Sequence, residues 1–335
     1  MPTAFIQLPL ARIKLHSERL LVLAPPEPGQ PDTLLQQIPL AEVDSLIVTE
    51  QVQITSQAVG ALLRRNAVIH YLTAHGRLLG SCLPPTPPDG RTRLSQYRRA
   101  QDADFSLSIA RRVVESKIYN QIRVLQRAQT NREGQPSNVL SQLSALLDQA
   151  GRAKDVPSLL GCEGAAAAEY FRIWSAFLPS TFPFEHRSTR PPHNAVNACL
   201  SFGSTLIYHE LVTRIYLAGL DPALGHLHTS TDDRCALALD LMEPFRPAIS
   251  EALTLRLFTQ GILAQEDFEP QEGGVYLSAD GRKKWLLQYE RRMEREFMSE
   301  FAGHRTTLRR QLDQIVAEYK RGLADPETFR PFRVN

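Results

Sequence analysis

The sequence predicts an α+β protein in which a small β-rich domain (sheets with one helix) precedes a larger, mostly α-helical domain. Short apolar runs of strand length, separated by turn residues, dominate up to about residue 85. Beyond that point apolar residues recur every three or four positions, which is the period of a helix with one buried face. The length of 335 residues and the apolar content of 43% are sufficient for two such domains.

The β-rich part is predicted from five strand-length runs and one helical segment. Thr55 or Ser56 can cap the helix, because either hydroxyl can accept a hydrogen bond from a backbone N–H of the first turn. His75-Gly76 is typical of a hairpin turn between the last two strands. The predicted strands cover residues 5–10, 19–23, 45–48, 67–72 and 78–82.

A proline-rich segment, PPTPPDG, follows at residues 84–90. Four prolines in seven residues cannot continue a helix or a central strand, so this segment is predicted to link two domains. The predicted divisions are an N-terminal domain at residues 1–83, a linker at 84–95, a helical domain at 96–300 and a basic C-terminal helix or tail at 301–335.

Two predicted helices carry a local excess of basic residues, which the whole-chain charge of +2 conceals. Arg91 to Arg132 contains ten Lys or Arg residues and far fewer acids, and Arg282 to Glu296 is also basic. Such a surface is either simply solvated or in contact with phosphates. On the first helix, Ala110, Val114, Ile118, Ile122 and Leu125 form the predicted apolar stripe, with Arg112, Asn120, Arg123 and Arg127 on the opposite face.

Several classes of protein lose support. No run of about 18 apolar residues predicts a transmembrane helix, and the N-terminus lacks the pattern of a signal peptide. No P-loop, dinucleotide-binding glycine fingerprint, G-x-S-x-G or H-E-x-x-H motif is present. Cys82, Cys162, Cys199 and Cys235 form no CxxC pair, so we expect a cytoplasmic chain with reduced thiols and no four-cysteine zinc site.

Glu163 lies between Gly161 and Gly164 and is followed by four alanines. One interpretation is a carboxylate in the first turn of a helix, where the helix dipole favours negative charge. The other is a functional acid, because small neighbours let a second helix or a substrate backbone approach closely.

His226 and His228 lie in a turn-rich segment, GLDPALGHLH. An H-x-H pair is a weak indication of a metal site, and the alternative for either residue is a hydrogen-bonded structural histidine. The turn favours function, because functional side chains concentrate in such segments.

Asp240 and Glu243 are three residues apart, so on a helix they share one face, and Arg246 extends the same row. They interrupt an apolar stretch, where carboxylates are costly unless they are paired, protonated or bound to metal. A salt bridge from either acid to Arg246 and a metal site are both open interpretations. One Glu, one His and one further carboxylate would together suit Mg²⁺ or Mn²⁺ and phosphodiester chemistry.

Six motifs occur in order over about residues 40–295. In this order and spacing they resemble the CRISPR-associated integrase-endonuclease family, the larger of the two proteins of the spacer-acquisition machinery that serves antiviral defence. The motifs are EVDSLIV, LLGCEGAAAAEYF, RSTRPPHNAVNACLSFGSTLIYHE, GLDPALGHLH, LALDLMEPFRP and GGVYLSADGRKKWL.

The resemblance implies an N-terminal β domain that builds a homodimer and a helical domain that holds Mg²⁺ or Mn²⁺. Its motifs place the metal ligands at Glu163, His228 and Glu243, with Asp240 as a nearby functional acid and no role for His226. The implied reaction is transesterification, in which the 3′-hydroxyl of a short DNA fragment attacks repeat DNA, and nicking and disintegration of branched DNA use the same site. The implied partners are double-stranded and branched DNA and the small second protein of the adaptation complex.

The residues predicted to contact DNA are the basic side chains of the helices and of the family motifs. A catalytically inactive DNA-binding scaffold is the alternative, but the presence of all three candidate ligands argues against it. An enzyme acting on small phosphoesters would leave the basic helices without a role. The predicted DNA-contacting residues are Arg112, Arg123, Arg127, Arg187, Arg190, Arg246, Arg282, Lys283 and Lys284.

Overall fold

The computed structural model describes residues 3–25, 31–73, 78–85, 89–130, 138–228, 234–299 and 302–335. The chain divides into two compact units, Met1–Pro88 and Asp89–Asn335. The first unit contains two sheets and one α-helix, and the second is mostly helical. The predicted α+β class, with the β-rich part first, is confirmed.

The first unit is built on two four-stranded sheets. The order of one sheet is β1-β5-β7-β8, in which the first three strands are parallel and β8 is antiparallel, and the order of the other is β4-β3-β2-β6. Helix α1 is capped by Thr55, whose hydroxyl accepts from Ala58 N. The elements are β1 Thr3–Ile6, β2 Arg12–His16, β3 Arg19–Leu23, β4 Leu34–Pro39, β5 Ser45–Thr49, β6 Gln53–Ile54, α1 Ser56–Arg64, β7 Val68–Leu72 and β8 Leu78–Cys82.

The sequence misses three of these strands, all in the second sheet. Strand β2 carries the charged residues Arg12 and Lys14, yet it lies inside its sheet with Ile13 fully buried. Strand β4 is an exposed edge strand, and β6 has only two residues, so neither shows a clear alternation. The predicted turn at His75-Gly76 lies outside the described residues.

The second unit consists of nine α-helices and two small hairpins in the described part of the chain. The 28-residue α3 packs against α4 and α5, while α6 contacts α7 and α10. The elements are α2 Gly90–Ala100, α3 Ala103–Thr130, α4 Asn138–Gly151, α5 Val156–Ser175, α6 Ala195–Leu217, α7 Ala236–Met242, α8 Ala252–Thr259, β9 Phe268–Gln271, β10 Gly274–Leu277, α9 Ala279–Glu294, β11 Phe297–Ser299, β12 His304–Thr306 and α10 Leu308–Gly322.

Two predicted boundaries differ from the structure. Residues 90–95, assigned to the linker, are the first turns of α2, because Asp89 caps that helix by accepting from Thr92 N at 3.1 Å. Residues 302–335 are part of the second unit rather than a separate tail. Helix α10 packs on α6 and α9, and Phe329 and Phe332 are buried beyond its end.

The four cysteines are free thiols, as the absence of a paired motif predicts. Within the described ranges, no helix combines the length and the apolar character needed to cross a membrane.

A buried ionic network joins α6, α9 and α10. Arg309 on α10 is 1% exposed and donates from Nη1 to Glu210 Oε1 on α6 at 3.0 Å. Tyr289 on α9 donates its hydroxyl to the same oxygen at 2.8 Å, and Arg309 Nη2 reaches Glu290 Oε2 at 2.6 Å. Glu210 also pairs with Arg214 at 3.2 Å, so removal of Arg309 takes away one of the two cations that compensate this buried carboxylate.

We expect Arg309→Leu to lower the free energy of unfolding by about 1.5–3 kcal/mol, because the buried Glu210 loses one of its two guanidinium partners and keeps only Arg214. Urea denaturation followed by circular dichroism measures this loss. The matched control is Lys283→Ala, which removes a solvent-exposed ion pair with Asp280 and should change stability far less. Equal effects of the two substitutions would contradict the assigned role of the network.

Because of His209 on α6, we expect the free energy of unfolding to decrease in acid. Burial lowers its pKa from 6.5 to about 4, so between these values the unfolded chain binds the additional proton. Stability is therefore lost as the pH falls from 6.5 to 4, by about 3 kcal/mol for this group. We expect His209→Leu to lose less stability than the wild type over this range, as measured by urea denaturation at both ends. Parallel losses in the two proteins would refute the assignment.

Candidate active site

Two of the predicted acids meet at one lysine. Glu163 projects from α5, Glu243 follows the last residue of α7, and Lys117 lies near the middle of α3. The Lys117 ammonium donates to Glu163 Oε1, and Lys117 Nζ lies 2.5 Å from Glu243 Oε2. The structure thus gathers Glu163 and Glu243 around a single positive charge.

Glu163 lies in the third turn of its helix, so the interpretation as a first-turn charge is wrong. Helix α5 begins seven residues earlier, where Asp155 and Ser158 form a reciprocal capping box. The flanking Gly161 and Gly164 are exposed, and a Cβ placed on either would meet no atom within 4 Å. The surface beside the carboxylate is therefore open and free of projecting side chains.

Glu243 forms a second ion pair, with a cation from its own chain segment. Arg246 Nη1 donates to Glu243 Oε1 at 2.9 Å, which is one of the two salt bridges that the sequence allowed. The segment continues directly into a π-helical turn, Pro247–Glu251, before α8 begins. Such turns interrupt α-helices frequently at functional sites. Both oxygens of Glu243 therefore contact a positive charge.

Asp240 organises the loop that carries His228. The Asp240 carboxylate is fully buried and accepts from the backbone N–H groups of His226 at 2.5 Å and of Leu227 and His228 at 3.0 Å. His228 Nδ1 lies 2.7 Å from Asp240 Oδ1, and among the described residues Nε2 has no hydrogen-bond partner. Asp240 therefore fixes the imidazole through one nitrogen and leaves the other for a ligand, as carboxylates beside metal-binding histidines do.

His226 is a structural residue, in agreement with the absence of a family role for it. Its Nδ1 lies 3.0 Å from Ser106 Oγ, and its Nε2 lies 2.8 Å from Tyr319 Oη. Burial lowers the pKa of His226, partly offset by the charge of Asp240. Because both ring nitrogens are hydrogen-bonded, His226 has no nitrogen for a metal ion.

The charges of the site hold one another ionised. Burial raises the pKa of Glu243, but the charges of Arg246, Lys117 and His228 outweigh it and hold that pKa far below its usual range. Burial lowers the pKa of Lys117, and the two glutamates reverse this and raise it. For His228, burial again lowers the pKa, whereas the hydrogen bond and charge of Asp240 produce a net rise. At neutral pH the site is therefore a set of compensated charges.

Two polar residues of α3 are buried rather than solvated. Lys117 is one of the ten basic residues counted from Arg91 to Arg132, and Asn120 is predicted on the face opposite the apolar stripe. Lys117 is 5% exposed and Asn120 is fully buried. Asn120 Nδ2 donates to the backbone oxygens of Pro244 at 2.7 Å and Phe332 at 3.0 Å, and its Oδ1 accepts from Val334 N at 2.8 Å. This one amide joins α3 to the residue after Glu243 and to the C-terminal segment.

A sequence signal for Lys117 existed. It follows Val114 by three residues and Ala110 by seven, which places it on the edge of the apolar stripe that faces the core. A lysine on a buried helix face requires an acidic partner. The sequence does not show which of its 36 acids provides that partner.

The donor set fits a hard divalent cation, but it is not preformed. Carboxylate oxygens of Glu163 and Glu243 and one imidazole nitrogen of His228 are ligands suited to Mg²⁺ or Mn²⁺. Within the parts of the chain that the structure describes, no three His, Cys, Asp or Glu side chains are gathered closely enough to hold a metal as they stand. The Lys117 ammonium lies between the two glutamates and keeps their carboxylates from forming such a metal-binding group.

Most of the basic residues predicted to contact DNA make contacts inside the second unit. Arg187 is the clearest departure, because its guanidinium donates to Asn197 Oδ1 at 2.9 Å and Ser201 Oγ at 3.1 Å and so supports the loop before α6. Burial lowers its pKa to about 10. Arg190 is exposed, and Lys283 is 79% exposed with only an i−3 partner on its own helix.

The remaining predicted DNA contacts have partners of several kinds. Arg112 pairs with Glu327, Arg127 donates to the backbone oxygen of Asn335, and Arg123 donates to Gln126. Arg282 donates to the backbone oxygen of Leu277, Lys284 pairs with Asp267, and Arg246 pairs with Glu243.

Comparison with known proteins identifies a family whose members resemble this chain. The model of the family described as "CRISPR associated protein Cas1" matches residues 4–291. A CRISPR-associated endonuclease Cas1 of Thermus thermophilus is 31% identical over 302 residues, which cover 90% of this chain and 89% of that protein. A Cas4 exonuclease/Cas1 endonuclease fusion of Rhodospirillum rubrum is 34% identical over 83% of this chain. The chain spans about half of the fusion protein, 49% of its length.

Solved structures share the fold. A casposase bound to its integration product superposes with a TM-score of 0.84 at 23% identity, over 96% of this chain and 90% of that chain. A complex of a Cas6-RT-Cas1 protein with Cas2 gives a TM-score of 0.81 at 25% identity, over 99% of this chain and 36% of that chain. The casposase, at its lower identity, supports the fold alone.

We expect Asp240→Asn to lower the pKa of His228, because the substitution removes the carboxylate whose hydrogen bond and charge raise it. Titration of the imidazole resonances by NMR, with His228→Gln for assignment, measures the shift. The control is Asp280→Asn, which removes an exposed acid of α9 and should leave that pKa unchanged. An unchanged pKa in Asp240→Asn would show that Asp240 does not orient His228.

Proposed function

The chain belongs to the family described as CRISPR associated protein Cas1, and we propose from this premise that it is a metal-dependent DNA integrase and endonuclease of CRISPR adaptation. One observation carries the proposal. Glu163 and Glu243 gather around one cation, and His228, whose charge acts on Glu243, has one nitrogen fixed by Asp240. Two carboxylates and an oriented imidazole form a cation-binding set of the kind that phosphoryl transfer uses.

The proposed reaction is a transesterification. The 3′-hydroxyl of a short DNA fragment attacks a phosphorus atom at the edge of a repeat, so that a new P–O bond forms while the bond to the repeat's own 3′-oxygen breaks. The attacking hydroxyl loses its proton and the departing 3′-oxygen gains one, and the number of phosphodiester bonds is unchanged. Disintegration of branched DNA is the reverse reaction, and nicking replaces the attacking hydroxyl with water.

The residues of the site have different roles in the proposed reaction. Glu163, Glu243 and His228 would hold Mg²⁺ or Mn²⁺, which when bound polarises phosphoryl oxygens and stabilises the leaving oxygen. Asp240 keeps the His228 ring oriented through Nδ1. Arg246 keeps Glu243 ionised and in place. Positioning and electrostatics supply most of the rate enhancement in such reactions.

The surface beside Glu163 is suited to a DNA backbone. Gly161, Gly164 and Ala165 are exposed and have no side chain that would keep a duplex away from the carboxylate. Exposed basic residues such as Arg190 and Lys283 would contact phosphates and make binding weaker at higher salt.

The proposed partners follow from family membership. We propose DNA as the substrate from membership of this family, and a similar structure, a Cas6-RT-Cas1 protein in complex with Cas2, supports a small second protein as a partner. We also propose a homodimer built through the β-rich first unit.

A catalytically inactive DNA-binding scaffold is the second candidate, and one observation favours it. Both oxygens of Glu243 contact cations of the chain itself, which is how an acid with a purely structural role would be arranged. A titration of Mg²⁺ and Mn²⁺ in a nicking assay on branched DNA separates the two functions. Metal-dependent nicking supports the integrase-endonuclease, and its absence at every metal concentration supports the scaffold.

We expect Glu163→Gln and His228→Ala each to lower nicking and integration on branched DNA by at least about 100-fold, because each removes a proposed ligand. Product formation on gels gives the rate, while circular dichroism and DNA-binding measurements show that fold and binding are retained.

The matched control is Glu169→Gln, which lies on the same helix and removes a surface pair with Arg172. This control should keep wild-type activity. Wild-type activity in both Glu163→Gln and His228→Ala would overturn the assignment of the site.

A further inference from the structure

The proposed ligands are neutralised by cations that belong to the chain. Lys117 Nζ lies 2.5 Å from Glu243 Oε2 and also bonds Glu163 Oε1, while Arg246 Nη1 lies 2.9 Å from Glu243 Oε1. Two carboxylates therefore already contact two full positive charges. Each oxygen of Glu243 contacts a cation, so a divalent ion that binds Glu243 competes with these cations for the carboxylate.

We propose that Lys117 is the internal counter-ion of the site, which holds Glu163 and Glu243 together without metal and is displaced from them when a divalent ion binds. Lys117 thereby sets the affinity for the ion. The inference rests on the proposed function, because it assigns Lys117 a role toward the same three ligands.

Lys117, rather than Arg246, is the cation that the divalent ion displaces. Within the described ranges, Arg246 forms an ion pair only with Glu243, three residues away in the same chain segment, and no ion pair with Glu163. The Lys117 ammonium contacts both glutamates and therefore occupies the position where an ion shared by them would sit. Its four-carbon stem is also more adaptable than a planar guanidinium.

A receiving carboxylate is present nearby. Glu251, at the end of the π-helical turn, is 2% exposed, and its Oε2 makes no hydrogen bond among the described residues. Burial raises the pKa of Glu251, whereas the charges of Arg246 and Lys117 and a hydrogen bond from Tyr170 lower it. A displaced ammonium can therefore pair with Glu251 and remain compensated inside the protein.

The test uses the full chain and Mn²⁺ alone, without DNA. Thermal unfolding in EDTA gives the metal-free Tm, and electron paramagnetic resonance of free Mn²⁺ gives the Kd. We expect Lys117→Met to lower the metal-free Tm, because the buried Glu243 and the partly exposed Glu163 lose their shared cation. We also expect it to bind Mn²⁺ at least about tenfold more tightly than the wild type, because no ammonium has to be displaced. Added Mn²⁺ should raise its Tm by more than it raises that of the wild type.

Two further variants separate this role from simple packing. Lys117→Arg should retain the metal-free Tm and weaken Mn²⁺ binding, because a guanidinium can hold both carboxylates through parallel hydrogen bonds. Arg111→Met removes a cation from the same helix that donates to the backbone oxygen of Ala153, and it should leave the Mn²⁺ affinity unchanged.

The outcomes distinguish this inference from the proposed function. If the wild type binds Mn²⁺ and Lys117→Met binds it equally or more weakly, the displacement is overturned while the proposed function stands. If the wild type neither binds Mn²⁺ nor nicks branched DNA, both are overturned. Folding of Lys117→Met only in the presence of Mn²⁺ supports the displacement. If Lys117→Met folds under neither condition, the Lys117→Arg affinity decides, and an unchanged value overturns the proposal.

Discussion

The ammonium of Lys117, placed between Glu163 and Glu243, is the interaction on which the second unit depends. It joins the middle of α3 to the third turn of α5 and to the end of α7, three elements that are distant in the chain. Buried charges of this kind add little net stability compared with apolar packing, but an unpaired one is strongly destabilising. The three elements are therefore constrained to meet in one arrangement, and that arrangement places the candidate ligands side by side.

Hydrogen bonds around this centre fix the remaining groups. Asp240 uses its buried carboxylate to gather three backbone N–H groups and the His228 ring, so the loop and its imidazole are held as one body. Asn120 does the same on the other side, where a single amide joins Pro244, Phe332 and Val334. The stacking of Phe245 on Phe332, with ring centroids 4.7 Å apart, closes this side with apolar surface. The C-terminal segment thus packs against the residues that follow Glu243.

The arrangement has a direct functional meaning if the proposed chemistry holds. A site that must bind a divalent cation and a polyanion carries its own cations, which contact the acids before either ligand arrives. Arg246 and Lys117 serve this purpose in different ways, because one grips a single acid and the other bridges two. The π-helical turn after Arg246 ends at Glu251, a buried carboxylate on which the charges of Arg246 and Lys117 act.

The sequence by itself determined the α+β class, the long helix with its apolar stripe, and the identity of Glu163, His228, Asp240 and Glu243 as candidates. Helical periodicity and residue chemistry are local properties, and the motifs kept their order along the chain. Only the tertiary structure decided which histidine is structural, which acids Arg246 and Lys117 pair with, and that Asn120 faces inward. Local pattern shows which face of a helix a residue occupies, but the partner on that face comes from elements tens to hundreds of residues away. Burial and charge compensation are therefore decided only when those elements pack.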